Sequence, residues 1–443
     1  MDLPTFSRNT LISKMADGTI KQVNPFSGSE VWTVPGRGNR PLARPKTDPK
    51  ALSDTSFTHT CAFCSANTWQ TPPEKARMVR TNDGGWELLR NVPALELETT
   101  LAEFRRVPNL FEILSYDYWQ QNYDYAMPTN ARNHMDSYLL SAVGREHVAH
   151  TVATKLRAAG KNPEVTSAEM ERLAEPFFGG GHDVIIARRH YIDGAETEDQ
   201  LCSSGMLSAE EHFVFIQFTI AALADLYHQN RYAPYVAVFQ NWLQPAGASF
   251  EHLHKQLVAM DDRGVSAQRE IQRLRTNPNM YNELAVDYAA HHNLILAEND
   301  HAICFAGFGH QYPTLEVYSK SATSEPWLQS VEEIRDMSDL LHACHAAAGP
   351  DIPCNEEWHH KPVDADIPMP WRIMVKWRVS TLAGFEGGTK VYVNTISPWD
   401  LRDRVVTQLY ALRDQGRISA DIRIATECQV PRNSLQYNPN LWR

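Results

Sequence analysis

Two short signatures, Ser208-Ala-Glu-Glu211 and Ser330-Val-Glu-Glu333, each place a serine three positions ahead of a glutamate at the head of an apolar run. That spacing is a capping box: the serine oxygen accepts the N–H of the third helical residue, and the glutamate accepts the serine's own N–H. Each predicts a helix start, the first helix running through Leu226 and the second to about Ala347. Strand-like segments flank both: residues 183–189 and 235–241 around the first, and 302–306, 315–320 and 371–379 around the second. A further strand is expected at 390–394 and a last helix from about Pro398 to Leu412. The same order met twice points to a duplicated α+β unit, and 443 residues is long for a single core.

The rest of the chain is less regular. Residues 1–23 read as a polar N-terminal arm. Asn24-Pro-Phe-Ser-Gly28 turns into a strand at 30–34, and Pro35-Gly-Arg37-Gly-Asn-Arg40-Pro41 follows as a loop with two arginines. Residues 42–57 read as a linker, and strand-like pieces lie around 86–89 and 104–107. Residues 115–178 are aromatic and then helical, with Leu139, Leu140, Val143 and Val148 at helix-like intervals. The chain is 43% apolar and 21% charged, an ordinary globular composition. A net charge of −11 argues against nucleic acid or an anionic membrane as the main partner. Seven cysteines with one paired motif suit reduced thiols, and neither a leader nor a membrane-length apolar run is evident, so a cytoplasmic, soluble protein is expected.

Chemistry concentrates in two places. In Asn241-Trp-Leu-Gln-Pro-Ala-Gly-Ala-Ser-Phe-Glu-His252-Leu-His254-Lys-Gln256, a loop of small residues leads into a strand-like run. Spacing of two puts His252, His254 and Gln256 on one strand face, where imidazoles and an amide suit binding and attack on a phosphate. A lone His-x-His is weak; the second place strengthens it. Cys61-Ala-Phe-Cys64 is half of a four-ligand metal site, and with no second such pair the remaining ligands should be histidines: His190 and one of His252 or His254. The plain alternative is two unrelated buried thiols.

These motifs, with residues 24–41, Val107-Pro-Asn-Leu-Phe111, Gly181-His-Asp-Val-Ile-Ile-Ala-Arg-Arg-His190, Glu298–Cys304, Ala383-Gly-Phe-Glu-Gly-Gly-Thr389 and Tyr392-Val-Asn394, resemble in order those of galactose-1-phosphate uridylyltransferases. That family belongs to the histidine-triad superfamily and fuses two such domains. The resemblance implies an α+β fold of two tandem histidine-triad-like domains, antiparallel sheets with packed helices, and a mainly helical insertion at about 115–178. The implied divisions are an arm at 1–23, a domain at 24–280 with metal site and nucleophile, a repeat at 281–430 without the catalytic histidines, and a tail at 431–443.

By the same resemblance, His254 is the nucleophile that becomes nucleotidylated, with Gln256 and Ser249 as its catalytic companions. Asn241 and Gly247 belong with Ser249 to a phosphate-cradling loop, Arg37 and Arg40 meet the nucleotide phosphates, and Asn109, Leu110 and Phe111 pack on base and ribose. Glu386 accepts from sugar hydroxyls. Cys61, Cys64, His190 and His252 hold one structural zinc. Plainer roles compete: Ser249 closing a turn, Arg37 and Arg40 as solvated loop residues, Phe111 as core. The implied activity is nucleotidyl transfer from a nucleotide sugar to a sugar 1-phosphate, in a homodimer. The alternatives are a phosphorylase using inorganic phosphate, or a non-catalytic nucleotide-binding scaffold; Gln256 disfavours a hydrolase. The chain also departs from the family. Pro370-Trp371-Arg372 stands where a second metal site would have His-Trp-His, so no second metal is expected. Ser380 and Thr381 replace residues that touch the hexose, Phe250-Glu251 and Leu253 replace Asn-Pro and Pro, and the 115–178 block has no counterpart.

Overall fold

The computed structural model describes residues 11–36 and 48–442. Its strands are β1 (Ile12–Lys14), β2 (Ile20–Val23), β3 (Glu30–Thr33), β4 (Ala76–Arg80), β5 (Trp86–Arg90), β6 (Ala102–Pro108), β7 (His182–Ala187), β8 (Tyr235–Trp242), β9 (His254–Met260), β10 (Ile295–Glu298), β11 (Ala302–Ala306), β12 (Thr314–Ser319), β13 (Cys354–His359), β14 (Arg372–Trp377), β15 (Val391–Asn394) and β16 (Arg423–Ile424). Twelve of them make one antiparallel sheet in the order β16-β10-β11-β12-β14-β13-β8-β9-β7-β6-β4-β5, while β1, β2, β3 and β15 form a second, small sheet. The fold is α+β.

The seam between β8 and β13 organises the large sheet. Outward from it run β9, β7, β6 and β4 on one side and β14, β12, β11 and β10 on the other, the same chain order read twice. The helix Ala209–Gln229 lies between β7 and β8, and the helix Val331–Ala348 between β12 and β13. Both capping boxes form, with Ser208 Oγ accepting from Glu211 N–H at 3.1 Å and Ser330 Oγ from Glu333 N–H at 3.2 Å. The two helices pack together on one face of the sheet, where His212 Nδ1 meets Ser338 Oγ at 2.8 Å. On β8, Val236, Val238, Gln240 and Trp242 are buried, while Ala237, Phe239 and Asn241 alternate with them and are half-buried on the other face. Thus a single sheet runs through both halves: neither half covers its seam strand alone, and pairing β8 with β13 satisfies both edges.

The two halves differ at the first residue of one strand. His254 opens β9 opposite Ile186 of β7, and Arg372 opens β14 opposite Tyr318 of β12. Arg372 is buried, its Nη2 donating to both Glu270 carboxylate oxygens at 2.6 and 2.5 Å, with the Phe26, Tyr281 and Tyr318 rings around the guanidinium. The position matching His254 is therefore filled by an ion pair.

Several expectations need correction. Residues 12–14 and 20–23, assigned to an arm, form β1 and β2, because Leu11 and Ile12 bury against the core and β2 pairs with β3. β4, missed because its apolar residues are interrupted by arginines, lies in the sheet between the segments at 86–89 and 104–107. Arg77 of β4 is buried through Glu74 and the carbonyls of Leu97 and Thr100, a tertiary arrangement that periodicity does not report. The 115–178 block is helical, with helices Tyr116–Tyr123, Thr129–Leu140, Ala142–Ala158 and Ser167–Gly179. It has its own small core, including Met135, Tyr138, Val148, Val152 and Phe177, whereas Leu140 is 80% exposed at a helix corner.

Candidate active site and metal centre

Three separate segments converge on one point. Cys61 and Cys64 sit on a turn closed by Cys64 N–H to Cys61 O at 3.0 Å, His190 follows the end of β7, and His252 precedes β9 by two residues. The sulfurs are 3.8 Å apart, the sulfur-to-Nδ1 separations run from 3.4 to 3.8 Å, and the two Nδ1 atoms are 3.2 Å apart. These are the six edges of a small tetrahedron, so the four residues can hold one metal ion with no position left open. His252 Nε2 faces the Ala187 carbonyl at 2.6 Å, which leaves Nδ1 for the metal and orients the ring.

The side chains expected to do chemistry lie beside this centre on the face away from the helices. His254 Nδ1 donates to the carbonyl of His252 at 2.7 Å, so the neutral ring keeps its lone pair on Nε2. Burial pushes the His254 imidazole down to about 4, so it is neutral at physiological pH and available as a nucleophile. Between His254 and Gln256, Lys255 points to the opposite face, where it pairs with Glu356 at 2.5 Å.

Gln256 is held by His182, a residue whose role no local pattern in the sequence announces. His182 opens β7, and its Nε2 lies 3.0 Å from Gln256 Oε1. Ile113 N–H donates to His182 Nδ1 at 3.2 Å, so the proton sits on Nε2 and the amide oxygen of Gln256 accepts it. Asn109 Nδ2 approaches the same oxygen at 3.4 Å. With its carbonyl engaged by two donors, Gln256 has its NH2 group left for an anion. The His-x-His-x-Gln spacing held no sign of this, because the contact is made across the β7·β9 ladder.

Across the next strand, Asn241 Oδ1 accepts from Asn355 Nδ2 at 2.7 Å, and Asn355 also donates to Ala246 O at 2.8 Å. A residue from the C-terminal half thus holds the small-residue loop. Leu243 and Gly247 both have positive φ, 65° and 88°, the left-handed region that favours glycine at the second of these. Gly247 and Ser249 are exposed on the loop. Leu110 is half-buried and Phe111 is 59% exposed, so Phe111 is not a core residue. Arg37 and Arg40 lie outside the described residues. Glu386 is not brought to His254 within this chain: it is on the short helix Gly384–Thr389 beside β15 of the small sheet, accepting from Ala383 N–H at 3.1 Å.

The family described as "Domain of unknown function (DUF4921)" matches residues 15–437. The chain belongs to this family. No curated protein matches it in sequence. Among solved structures, this family member is similar to an ADP-glucose phosphorylase from Arabidopsis thaliana with bound ADP-glucose, with a TM-score of 0.56 and 18% identity over 88% of this chain and 98% of that one. It is also similar to a GALT-like protein from Arabidopsis thaliana, with a TM-score of 0.52 and 18% identity over the same shares. At that identity the likeness establishes the fold. Among the described residues of this family member, no helix is long and apolar enough to cross a membrane.

Proposed function

We propose that the protein is a nucleotidyltransferase that takes a nucleoside monophosphate from a nucleotide sugar onto His254 and passes it to a sugar 1-phosphate. The observation carrying this reading is the pairing of a buried, neutral His254, its Nδ1–H on the His252 carbonyl, with a Gln256 amide whose carbonyl is already engaged. The Nε2 lone pair attacks the α-phosphorus, the bond to the sugar phosphate breaks, and its electron pair leaves with the sugar phosphate. That group needs no proton, so Gln256 serves as donor to phosphate oxygens and not as an acid. The ring then carries phosphorus on Nε2 and hydrogen on Nδ1, and the His252 carbonyl stabilises the resulting positive charge. Asn241, Gly247 and Ser249 form the loop around the phosphates, and Asn109, Leu110 and Phe111 the side facing base and ribose.

The metal is proposed to be zinc. A tetrahedral S2N2 site with bonds of about 2.3 Å to sulfur and about 2.0–2.1 Å to nitrogen has edges of roughly 3.3–3.8 Å, close to the 3.2–3.8 Å found here. Its part is structural, fixing the segment that carries the His252 carbonyl. Glu386 would reach an active site from the partner in a homodimer, since it lies on the other sheet of its own chain.

A second reading, phosphorolysis with inorganic phosphate as acceptor, is supported by the fold shared with the Arabidopsis ADP-glucose phosphorylase. The test is to incubate the protein with labelled nucleotide sugars and weigh the denatured chain. A nucleotidyl adduct discharged by a sugar 1-phosphate different from the one its donor released supports transfer, and one discharged, apart from the donor's own sugar phosphate, only by inorganic phosphate supports phosphorolysis. Absence of any adduct across the panel removes both and leaves a binding protein.

A further inference from the structure

We infer that Phe63, the residue between the two metal-binding cysteines, shields the nucleotidyl–His254 bond from water and so sets how the intermediate divides between transfer and hydrolysis. The inference rests on the covalent chemistry proposed above. A transferase that forms a histidine phosphoramidate must keep it from the surrounding water until an acceptor arrives.

The geometry brings one aromatic wall to that bond. The Phe63 ring lies 5.2 Å from the His254 ring, centroid to centroid, at 68°, and 6.1 Å from the His252 ring at 84°. Behind it, Phe250 packs at 4.5 Å. Phe63 also rests on Val107, Val184 and Ile186, all buried, so the wall it makes beside His254 is apolar. The wall is fixed at both ends. Phe63 lies between Cys61 and Cys64, its carbonyl accepts from Arg105 Nη2 at 3.0 Å, and Phe250 is two residues before His252. A metal site that activates nothing acquires a purpose here: it holds an aromatic side chain against the nucleophile.

In hydrolysis the water oxygen bonds to phosphorus, the phosphorus–Nε2 bond breaks with its electron pair going to Nε2, and one water proton passes to solvent. Neutral His254 and a nucleoside monophosphate result. In transfer, a phosphate oxygen of the acceptor takes the place of the water oxygen and no water enters. Phe63 covers one flank of the His254 ring, where it would keep bulk water from the bond, while the acceptor enters from the side facing Asn241 and Gln256.

The experiment compares wild type, Phe63→Leu and Phe63→Ala, each checked for metal content. The adduct is formed with a nucleotide sugar, excess donor is removed, and its loss is followed by mass, with and without acceptor. Phe63→Ala should shorten the adduct lifetime in plain buffer by about tenfold or more, equivalent to roughly 1.4 kcal/mol of barrier, with Phe63→Leu between; acceptor-driven discharge should change much less. A second measurement needs no donor: carbethoxylation of His254, mapped by mass, should be faster in Phe63→Ala. If wild type forms no adduct yet Phe63→Ala speeds carbethoxylation, Phe63 still covers His254, but the nucleotidyl reading fails and Phe63's part in dividing the intermediate falls with it. Unchanged adduct lifetime and unchanged His254 reactivity in a metal-replete Phe63→Ala protein would overturn the inference, as would equal acceleration of hydrolysis and transfer.

Discussion

The Nδ1 atom of His254 lies 2.7 Å from the main-chain oxygen of His252, whose own ring contributes Nδ1 to the four-atom metal cluster. One residue thus serves the metal with its side chain and the reactive imidazole with its backbone. Loss of metal should therefore disturb chemistry two residues away, without the metal touching a substrate.

His254→Ala should abolish both the nucleotidyl adduct and turnover, and the wild-type kinetics should be ping-pong. His254→Gly should regain part of the activity with added imidazole, which fits the vacated space. Adduct surviving in His254→Ala, read by peptide mass mapping, would place the nucleophile elsewhere.

Cys61→Ser should lower metal content and thermal stability together, because the cluster joins three segments distant in sequence. Metal analysis and a melting curve on the same sample check this. A metal-free protein melting at the wild-type temperature would contradict it.

His182→Leu should free the Gln256 amide to rotate, weakening phosphate contacts by roughly 1–3 kcal/mol, seen in kcat more than in KM. His182→Gln should recover much of the loss, since its amide nitrogen can take the place of the ring Nε2. Equal activity of the leucine and glutamine variants would show that the contact merely fills space.

Arg372→Met should strand Glu270, which also accepts from Tyr281 OH, in a buried site. Breaking one side of such a pair costs about 3–5 kcal/mol. Adding Glu270→Gln should restore part of the stability, measured by urea unfolding.

Glu112 gives a dependence on pH. Burial raises its carboxyl to about 7, Asp183 adds to the rise, and Tyr116 N–H, Lys155 and Lys75 oppose it. A raised folded value means the folded state holds the proton more tightly than the unfolded chain, where the group titrates near 4.5. Its contribution is greatest below pH 4.5 and is lost as pH climbs to about 7. Glu112→Gln should flatten that part of the stability curve and raise stability at neutral pH; an unchanged profile would mean the carboxyl is already ionised.

Much of this fold was legible along the chain. Strand alternation and two serine–glutamate caps placed both long helices and most of the central strands, because those signals are local. The cysteine pair and His-x-His-x-Gln were legible for a similar reason: their chemistry needs residues at short, fixed spacing. β4 escaped because its burial depends on Arg77 finding Glu74 and two carbonyls that pattern does not announce. β1 and β2 escaped because strands of three and four residues are too short for alternation to register, and they gain their stability by pairing with each other and with β3.

By itself the sequence determined the capped helices and most strands of the repeated unit, though not β4, β10 or β13, and the residue types at the candidate site, since propensity, capping and spacing act over a few residues. Only the tertiary structure decided that His190 and His252 meet the cysteines through Nδ1, that His182 turns Gln256, and that Phe63 stands against His254. It also decided that Arg372 closes the position equivalent to His254. Each of these joins segments tens to hundreds of residues apart, and such contacts are selected by burial and hydrogen-bond satisfaction in the assembled sheet, which a linear pattern does not encode.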